Sequence, residues 1–492
     1  IAPMAAGRYD YYAVSPAPAA VAGSTVTYEI PSMQDGSWNG ALDIMHAATQ
    51  GAELTEGLNE LVLDFRHKVH ALRITVPEGR NRFGSAVERL VIDFPQEVAG
   101  RMTFDAATAD AATTLDNATK SITVDFPTPL DEGDSFWVFI APADLSQGEV
   151  RFTAFSGDEC STPIGGRFGE CSAGRITPVD LTIRESRGKV TWFDCTMDCS
   201  QLGEPVEKLT LTLPDGKTFA TGTESIALTP GADGEFSFAL MSDDLASLAG
   251  KALTSVYESE SAVVEDRVSP ITIPADYTVD ARNKLADKAP YLFFEDFSEI
   301  GEYHTSNENG GVNSVEGYIL DDWGLTGWNA ARGGTIAHTC IMANCYIATH
   351  SGLSNSRAKG RIDTCPLPIK AGKTVNVKVS FDAGYTKKNG SGGSDQANSY
   401  ATCTFGRTDV ADAGTPLSSS QALSAVTMSE QKVSQLSDTS NLPDKWSNQI
   451  VNDCSSSSRL TWQIYSNRTS IWATTNVTIY CHIDNIRATI VR

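Results

Sequence analysis

Five carboxylates at the start of the last third of the chain, Glu295, Asp296, Glu299, Asp321 and Asp322, could by type do acid–base chemistry on a saccharide. Glycoside hydrolysis needs two such groups flanking one groove, about 5–10 Å apart. No short E-x-D-x-x-E strand motif holds these five together, so the sequence does not assemble the pair. GxSxG, HExxH, Walker, EF-hand and strand-linked dinucleotide signatures are all missing. The run NGSGGSD at 389–395 has neither a strand–helix frame nor a following Lys, and reads as a flexible loop. His67 and His70 lie in a strand pattern as packed or solvated residues.

Binding chemistry is better represented. Sugar sites stack an aromatic face on the apolar side of a ring and place amides, carboxylates or Arg at its hydroxyls. Trp323, Trp328, Trp446 and Tyr385 are large aromatics near predicted loops, with Asn329, Arg332 and Lys445 close in sequence. Core packing is the competing role for each; Trp446, in the polar segment NLPDKWSNQ, is expected to be the most exposed. Trp462 and Trp472 lie inside strand-like runs and read as core. A second candidate is a structural calcium ion, which takes hard oxygen ligands. Glu295 and Asp296 on the first strand of the last domain, with Asp484 on its last strand, could supply them if those strands meet. Solvated edge carboxylates are the alternative.

Ten cysteines stand at 160, 171, 195, 199, 340, 345, 365, 403, 454 and 481. An even number in a strand-rich chain favours disulfides and an oxidising compartment. Cys160 with Cys171, flanking PIGGRFGE, and Cys195 with Cys199 are the expected pairs. Cys340, Cys345, Cys365, Cys403, Cys454 and Cys481 allow 15 connectivities. Metal ligation would draw on His338, Cys340 and Cys345, or on Cys195 and Cys199, and neither set has zinc-ribbon spacing. Buried free thiols are the third possibility. With no initiator Met or signal peptide at Ile1, a mature or trimmed form is expected.

The elements that must position these residues are short and alternating, which is the pattern of stacked all-β domains. Leu61–Val76 changes face near Ala71–Leu72, which predicts a bulge. Strands are predicted at 86–94, 121–126, 136–140 and 149–155, with Phe136–Ile140 central because it is apolar on both faces. A second unit holds strands at 189–193, 208–213, 225–228, 235–240, 262–267 and 270–273, and a helix at 242–251. The polar stretch 276–290 reads as a boundary, with the linker at 279–290. The third unit alternates at 374–381 and again at the chain end, where the phase slips at Asp484-Asn485 and predicts another bulge.

At 492 residues the chain is long enough for about three domains: 1–180, 181–278 and, after the linker, 291–492. Its charge is divided unevenly. Of 38 basic and 61 acidic residues, 16 and 18 fall in 291–492, a net of −2; the 22 and 43 in 1–290 give −21. An overall −23 argues against a phosphate-neutralising nucleic-acid surface and against a polybasic membrane contact. No apolar run approaches the roughly 20 residues that span a bilayer.

The first unit resembles the fimbrillin family of surface proteins. YYAVSPA at 11–17, VTYEIPSMQ at 26–34, LDIMHA at 42–47 and the strand region with Phe65-Arg66-His67 and Val69–Val76 carry the likeness in order and spacing. It covers about 1–180 and extends less distinctly over 181–275. The resemblance implies two transthyretin-like β-sandwiches, export as a lipoprotein to the outer membrane of a Gram-negative cell, and docking between subunits by strand addition. The third unit is similar to lectin-like jelly-roll domains through FFEDFS, Gly327-Trp328, RIDT at 361–364 and HIDNIRATIV. An ordinary stalk subunit would carry a short donor tail where this chain carries about 200 residues. The implied protein is therefore a non-enzymatic fimbrial tip or accessory subunit, whose last domain binds a glycan or host protein. A secreted polysaccharide-active enzyme with a jelly-roll catalytic domain, and a ligand-free spacer, are the alternatives.

Overall fold

The computed structural model describes residues 5–491 apart from 58, 232–233, 299–324, 332–333, 338–339, 348–359, 390–398, 410–421, 428–441, 443 and 469–476. The fold is all-β, as predicted, and is built from sandwiched sheets. Two compact units form: Ile1–Met197 with Glu207–Tyr257 and Ser269–Asp287, and Asp198–Val206 with Glu258–Val268 and Lys288–Arg492.

The backbone of the first unit is a nine-stranded sheet that ignores the expected break at 180. Its order runs Glu235–Met241, Ser186–Asp198, Glu159–Ser161, Val150–Ser156, Val87–Asp93, Ser121–Leu130 and Met33–Gln34. The splice is short: Glu159, Cys160 and Ser161 pair with Lys189, Gly188 and Ser186. Phe155, Cys160, Val190, Trp192, Ala220, Ala239 and Met241 bury a small core around it. The predicted linker joins the same sheet, because Arg282–Lys288 is a strand paired with Ser186–Asp198. Its period-two alternation is polar on one side and only half-buried on the other, so it lacked the apolar face by which strands are read. Arg282 donates from Nε and Nη2 to the two oxygens of Asp194 at 2.9 and 2.6 Å, which fixes the added strand laterally.

A larger core fills the first sandwich, with Leu72, Ile74, Ile92, Phe104, Val124 and Val138 among its buried members. His70–Thr75 lies between Ser135–Ile140 and Ile176–Asp180. The bulge expected at Ala71–Leu72 is absent: pairing with Ser135–Ile140 is unbroken, and the face change arises because Ala71 and Leu72 are buried on opposite sides of one strand. Residues 61–65 are not strand. Ser135–Ile140 stands at the end of its sheet rather than at the centre. Its edge is sealed by the Gln34 amide, which donates to the Phe139 carbonyl and accepts from the Phe139 N–H at 2.8 and 3.0 Å, as a strand residue would.

The second unit sandwiches two sheets. One runs Gly334–Ala337, Cys340–Ile347, Val477–Val491, Val375–Asn389 and Asp444–Cys454, with Phe293–Glu295 also on Val477–Val491; the other runs Asn329–Ala331, Gly360–Asp363, Arg459–Arg468, Ser399–Thr408 and Ala422–Thr427. The bulge predicted at Asp484-Asn485 is present: the register shifts between Ser380 and Asp382, and Asn485 takes φ +52°. Asp198–Val206 is tied in where Ile490 N donates to Leu202 O at 2.9 Å. A Cβ on Gly203, at φ +88°, would fall 1.9 Å from Ile490 O, so only glycine fits there.

Asp93 lies on the outer face of the nine-stranded sheet, with one carboxylate oxygen sealed from solvent and without a hydrogen-bond partner. Burial pushes its pKa up to about 6, against the pull of Ser121 and Arg151. A raised folded-state value means that this group's contribution to stability is fully present below pH about 4 and is lost as pH rises through about 6. Asp93→Asn is therefore expected to leave stability at pH 3.5 unchanged and to raise it at pH 7.5 by about 1–3 kcal/mol, measured by denaturant unfolding across pH.

Candidate functional site

The aromatic set nominated from sequence meets the structure in three ways. Trp446 is 9% exposed and stacks on Phe381 at 5.1 Å, so the expectation that it is the exposed tryptophan is overturned. Its position in Asp444–Cys454 alternates inward despite polar neighbours, and Phe381 in turn packs on Phe405 and Trp462 of the facing sheet at 5.2 and 5.3 Å. Trp328 is buried against Phe293 and Phe297, and Tyr385 is buried in Val375–Asn389. Trp323, Arg332, Trp472, His338, Glu299, Asp321 and Asp322 lie outside the described residues. Trp462 is core, as predicted.

Asn329 occupies a strand position paired with Asp363, beside the RIDT segment. Arg361 Nε donates to Asp363 Oδ1 at 2.7 Å, and the Thr461 hydroxyl donates to the same oxygen at 2.5 Å. Both ionic residues are buried, and Asp363 Oδ2 has no hydrogen-bond partner. Such a pair costs desolvation and is more informative about register than about stability. Arg361, Asp363, Thr461, Gln463 and Thr404 share one side of the five-stranded sheet, opposite Ile362, Trp462 and Phe405.

The carboxylates proposed for calcium approach one another along the backbone: Phe293–Glu295 pairs with the last strand, and Glu295 faces Ile486, two positions from Asp484. Each also has local donors. Glu295 accepts from Phe297 N at 2.7 Å, Asp296 from Ser298 N and Oγ at 3.1 and 2.6 Å, and Asp484 from Asn485 N at 2.7 Å. Among the described residues no group of three or more His, Cys, Asp or Glu could hold a metal ion. Asp382, also at this bulge, accepts from Lys445 Nζ at 2.6 Å and Asn485 Nδ2 at 3.0 Å.

The cysteines correct the disulfide expectation. Cys160, Cys171, Cys195, Cys199, Cys365, Cys403 and Cys454 are all free. Cys160 and Cys171 belong to different cores: Cys160 packs its sulfur 3.6 Å from Met241 Sδ, while Cys171 enters the main core of the first sandwich. Burial pushes the thiols of Cys160 and Cys454 up to about 11 and that of Cys195 to about 12, which keeps them protonated and inert. Even number and spacing cannot tell a staple from a small apolar core residue. The side chains of Cys340, Cys345 and Cys481 lie outside the described set.

His67 is exposed and bonded to Asp43 at 2.6 Å; His70 is buried between Ser172 O and the Thr177 hydroxyl, with its pKa lowered chiefly by burial. Cavities of about 180 Å³, beside Ser32, Arg89 and Glu235, and of about 380 Å³, beside Glu97, Met102 and Asp144, open on the first unit. Neither is lined by a nominated residue. Missed altogether was Trp38, the exposed tryptophan among the described residues, whose signal is the turn sequence Asp35-Gly36-Ser37 before it. No described helix is long and apolar enough to cross a membrane.

No protein-family model and no curated protein matches the chain. Among solved structures it is similar to a "putative cell adhesion protein" from Bacteroides uniformis, with 17% identity, 37% of this chain and 72% of that one covered, and a TM-score of 0.27. A second protein so described, from Bacteroides ovatus, has 15% identity, coverages of 36% and 62%, and a TM-score of 0.27. The shaft pilin spaA of Lactobacillus rhamnosus GG has 12% identity, coverages of 45% and 97%, and a TM-score of 0.15. At such scores the likenesses carry no argument about what this chain does.

Two outcomes test this description. Trp446→Ala should cost about 3–5 kcal/mol of stability, as loss of a packed core tryptophan does, read by denaturant unfolding. Alkylation followed by peptide mass spectrometry should leave Cys160, Cys195 and Cys454 unlabelled in the native chain. All three should label after denaturation without reductant, whereas a disulfide would block them until reduced.

Proposed function

We propose that the chain is a fimbrial tip or accessory subunit acting in adhesion at the cell surface. The first unit docks to other subunits by strand addition, and the second presents a surface that binds a glycan or host protein. The observation that carries this reading is the strand Gly7–Ser15. It is nine residues long, contains no proline, and stands at the end of its sheet, paired to Met45–Leu54 on one side only among the described residues. A long open edge is a template for another chain, and folded proteins usually blunt theirs.

Several other end strands of the first unit are blunted: Ile176–Asp180 carries Pro178, Ser135–Ile140 is closed by Gln34, and Met33–Gln34 and Ala20–Ala22 have two and three residues. From Tyr11 to Ser15 the register with Met45–Leu54 is unbroken, so the partner strand would meet a straight ladder. Tyr9 and Tyr11 share a face, with ring centroids 6.3 Å apart, and offer contacts for alternate side chains of an added strand.

The double substitution Tyr11→Pro with Ala13→Pro puts two residues without a backbone N–H into this edge strand. In the native cell it is expected to abolish co-purification of the chain with sheared surface fibres while the melting temperature stays within a few degrees. Equal incorporation of the variant would sink the docking role. Binding of the full chain on a glycan array without release of sugar products separates adhesion from the enzymatic alternative.

A further inference from the structure

The outer side of the sheet formed by His70–Thr75, Ser135–Ile140 and Ile176–Asp180 is not a plain solvated face. Residues in register lie in rows: Ala71, Phe139 and Ile176; Arg73, Trp137 and Pro178; Thr75, Ser135 and Asp180. The alternate positions Leu72, Ile74, Phe136 and Val138 point into the core. Period two therefore leaves an aromatic, an arginine and two hydroxyls together on the outside, with the exposed Asp180 carboxylate at the far end of the hydroxyl row.

Trp38 stands over these rows. Its ring meets Trp137 at 4.8 Å and Phe139 at 5.1 Å, both edge-on, and it remains 49% exposed. The loop that delivers it is fixed. Trp137 N donates to Gly36 O at 2.8 Å, and Asp35 accepts from Ser37 N and Oγ at 2.9 and 2.6 Å. Gly36 has φ +77° and sits where a Cβ would press on Phe126 and Phe136 at 3.0–3.2 Å. A half-exposed tryptophan held this firmly loses little conformational freedom on binding.

Arg73 is exposed beside it, its guanidinium 5.9 Å from the centre of the Trp137 ring, and it makes no ion pair among the described residues. Three other arginines on the sheets of this acidic unit are paired with carboxylates: Arg89 with Asp125, Arg101 with Glu29 and Glu207, Arg282 with Asp194. Across the next row the Thr75 and Ser135 hydroxyls bond each other at 2.7 Å.

We infer that Trp38, Trp137, Arg73, Thr75 and Ser135 form a binding site for a saccharide that carries a carboxylate, a uronic or sialic acid. The exposed indole takes the apolar side of the sugar ring, Arg73 pairs with the carboxylate, and the two hydroxyls meet ring hydroxyls. A purely apolar partner would leave the Arg73 guanidinium unmatched at the contact. The site lies wholly within the first unit and does not depend on the docking edge or on the surface proposed for the second.

The test is calorimetric titration of the full chain, with tryptophan fluorescence in parallel, against oligogalacturonate and sialyllactose and against their uncharged counterparts, a neutral galactan oligomer and lactose. The acidic ligands should bind at least tenfold more tightly than the neutral ones. Trp38→Ala should weaken binding of both classes by tenfold or more, and Arg73→Gln should erase the preference for the acidic ligand while leaving neutral binding unchanged. Both positions are exposed, so unfolding temperatures should match the parent's. Absence of binding to either acidic ligand overturns the inference, as does binding that Trp38→Ala leaves intact. Self-association of the parent that Trp38→Ala abolishes, with no saccharide bound, would instead make this face a contact between copies of the chain and equally overturn it.

Discussion

Three residues hold the first unit together in a way its length would not suggest. Where Glu159, Cys160 and Ser161 pair with Ser186–Lys189, two halves that each have their own sheets become one nine-stranded sheet. Hydrogen bonds across that splice are backbone bonds, so they impose register and angle together, and the small core around Trp192 and Met241 keeps water from competing for them. Trp192 is the anchor: Arg89 from one half and Arg282 from the strand at 282–288 lie over its ring at 4.9 and 5.0 Å. Each guanidinium is also held by a carboxylate, Asp125 or Asp194.

The same construction explains how a strongly acidic unit tolerates its charge. Excess carboxylates sit largely at the surface, and Arg89 and Arg101 act as lateral ties between strands. Each tie is partly exposed and of modest individual worth. Their collective effect is on register, since each joins residues that meet only in the correct pairing. Arg73 is the contrast, because it shares the sheet geometry but has an aromatic ring rather than a carboxylate beside it.

In the second unit the organising contact is aromatic. Phe381 touches Trp446 on its own sheet and Phe405 and Trp462 on the facing one, so one ring joins both layers. Opposite a register shift, and at the Asn485 bulge, its strand can turn Phe381 inward without displacing Asp382, which remains at the surface with Lys445. Among the described residues, Trp328, Trp446 and Tyr385, which looked like binding aromatics, are buried in this sandwich.

Alternation of apolar residues made most strands readable, and the phase slip at Asp484-Asn485 located a real bulge, because a one-residue slip has few other backbone solutions. It did not distinguish a slip from a strand buried on both sides, hence the absent bulge at Ala71–Leu72. Nor could it show the strand at 282–288, whose neighbours are 90 residues earlier and whose side chains are mostly polar. Residue type alone nominated Trp446 and missed Trp38, since exposure depends on which way a strand faces and what crosses it. Composition and periodicity determined that this is an acidic all-β chain of more than one sandwich. Which cysteines are mere core, which tryptophan meets solvent and where one sheet ends were decided by long-range pairing, because those properties belong to contacts and not to residues.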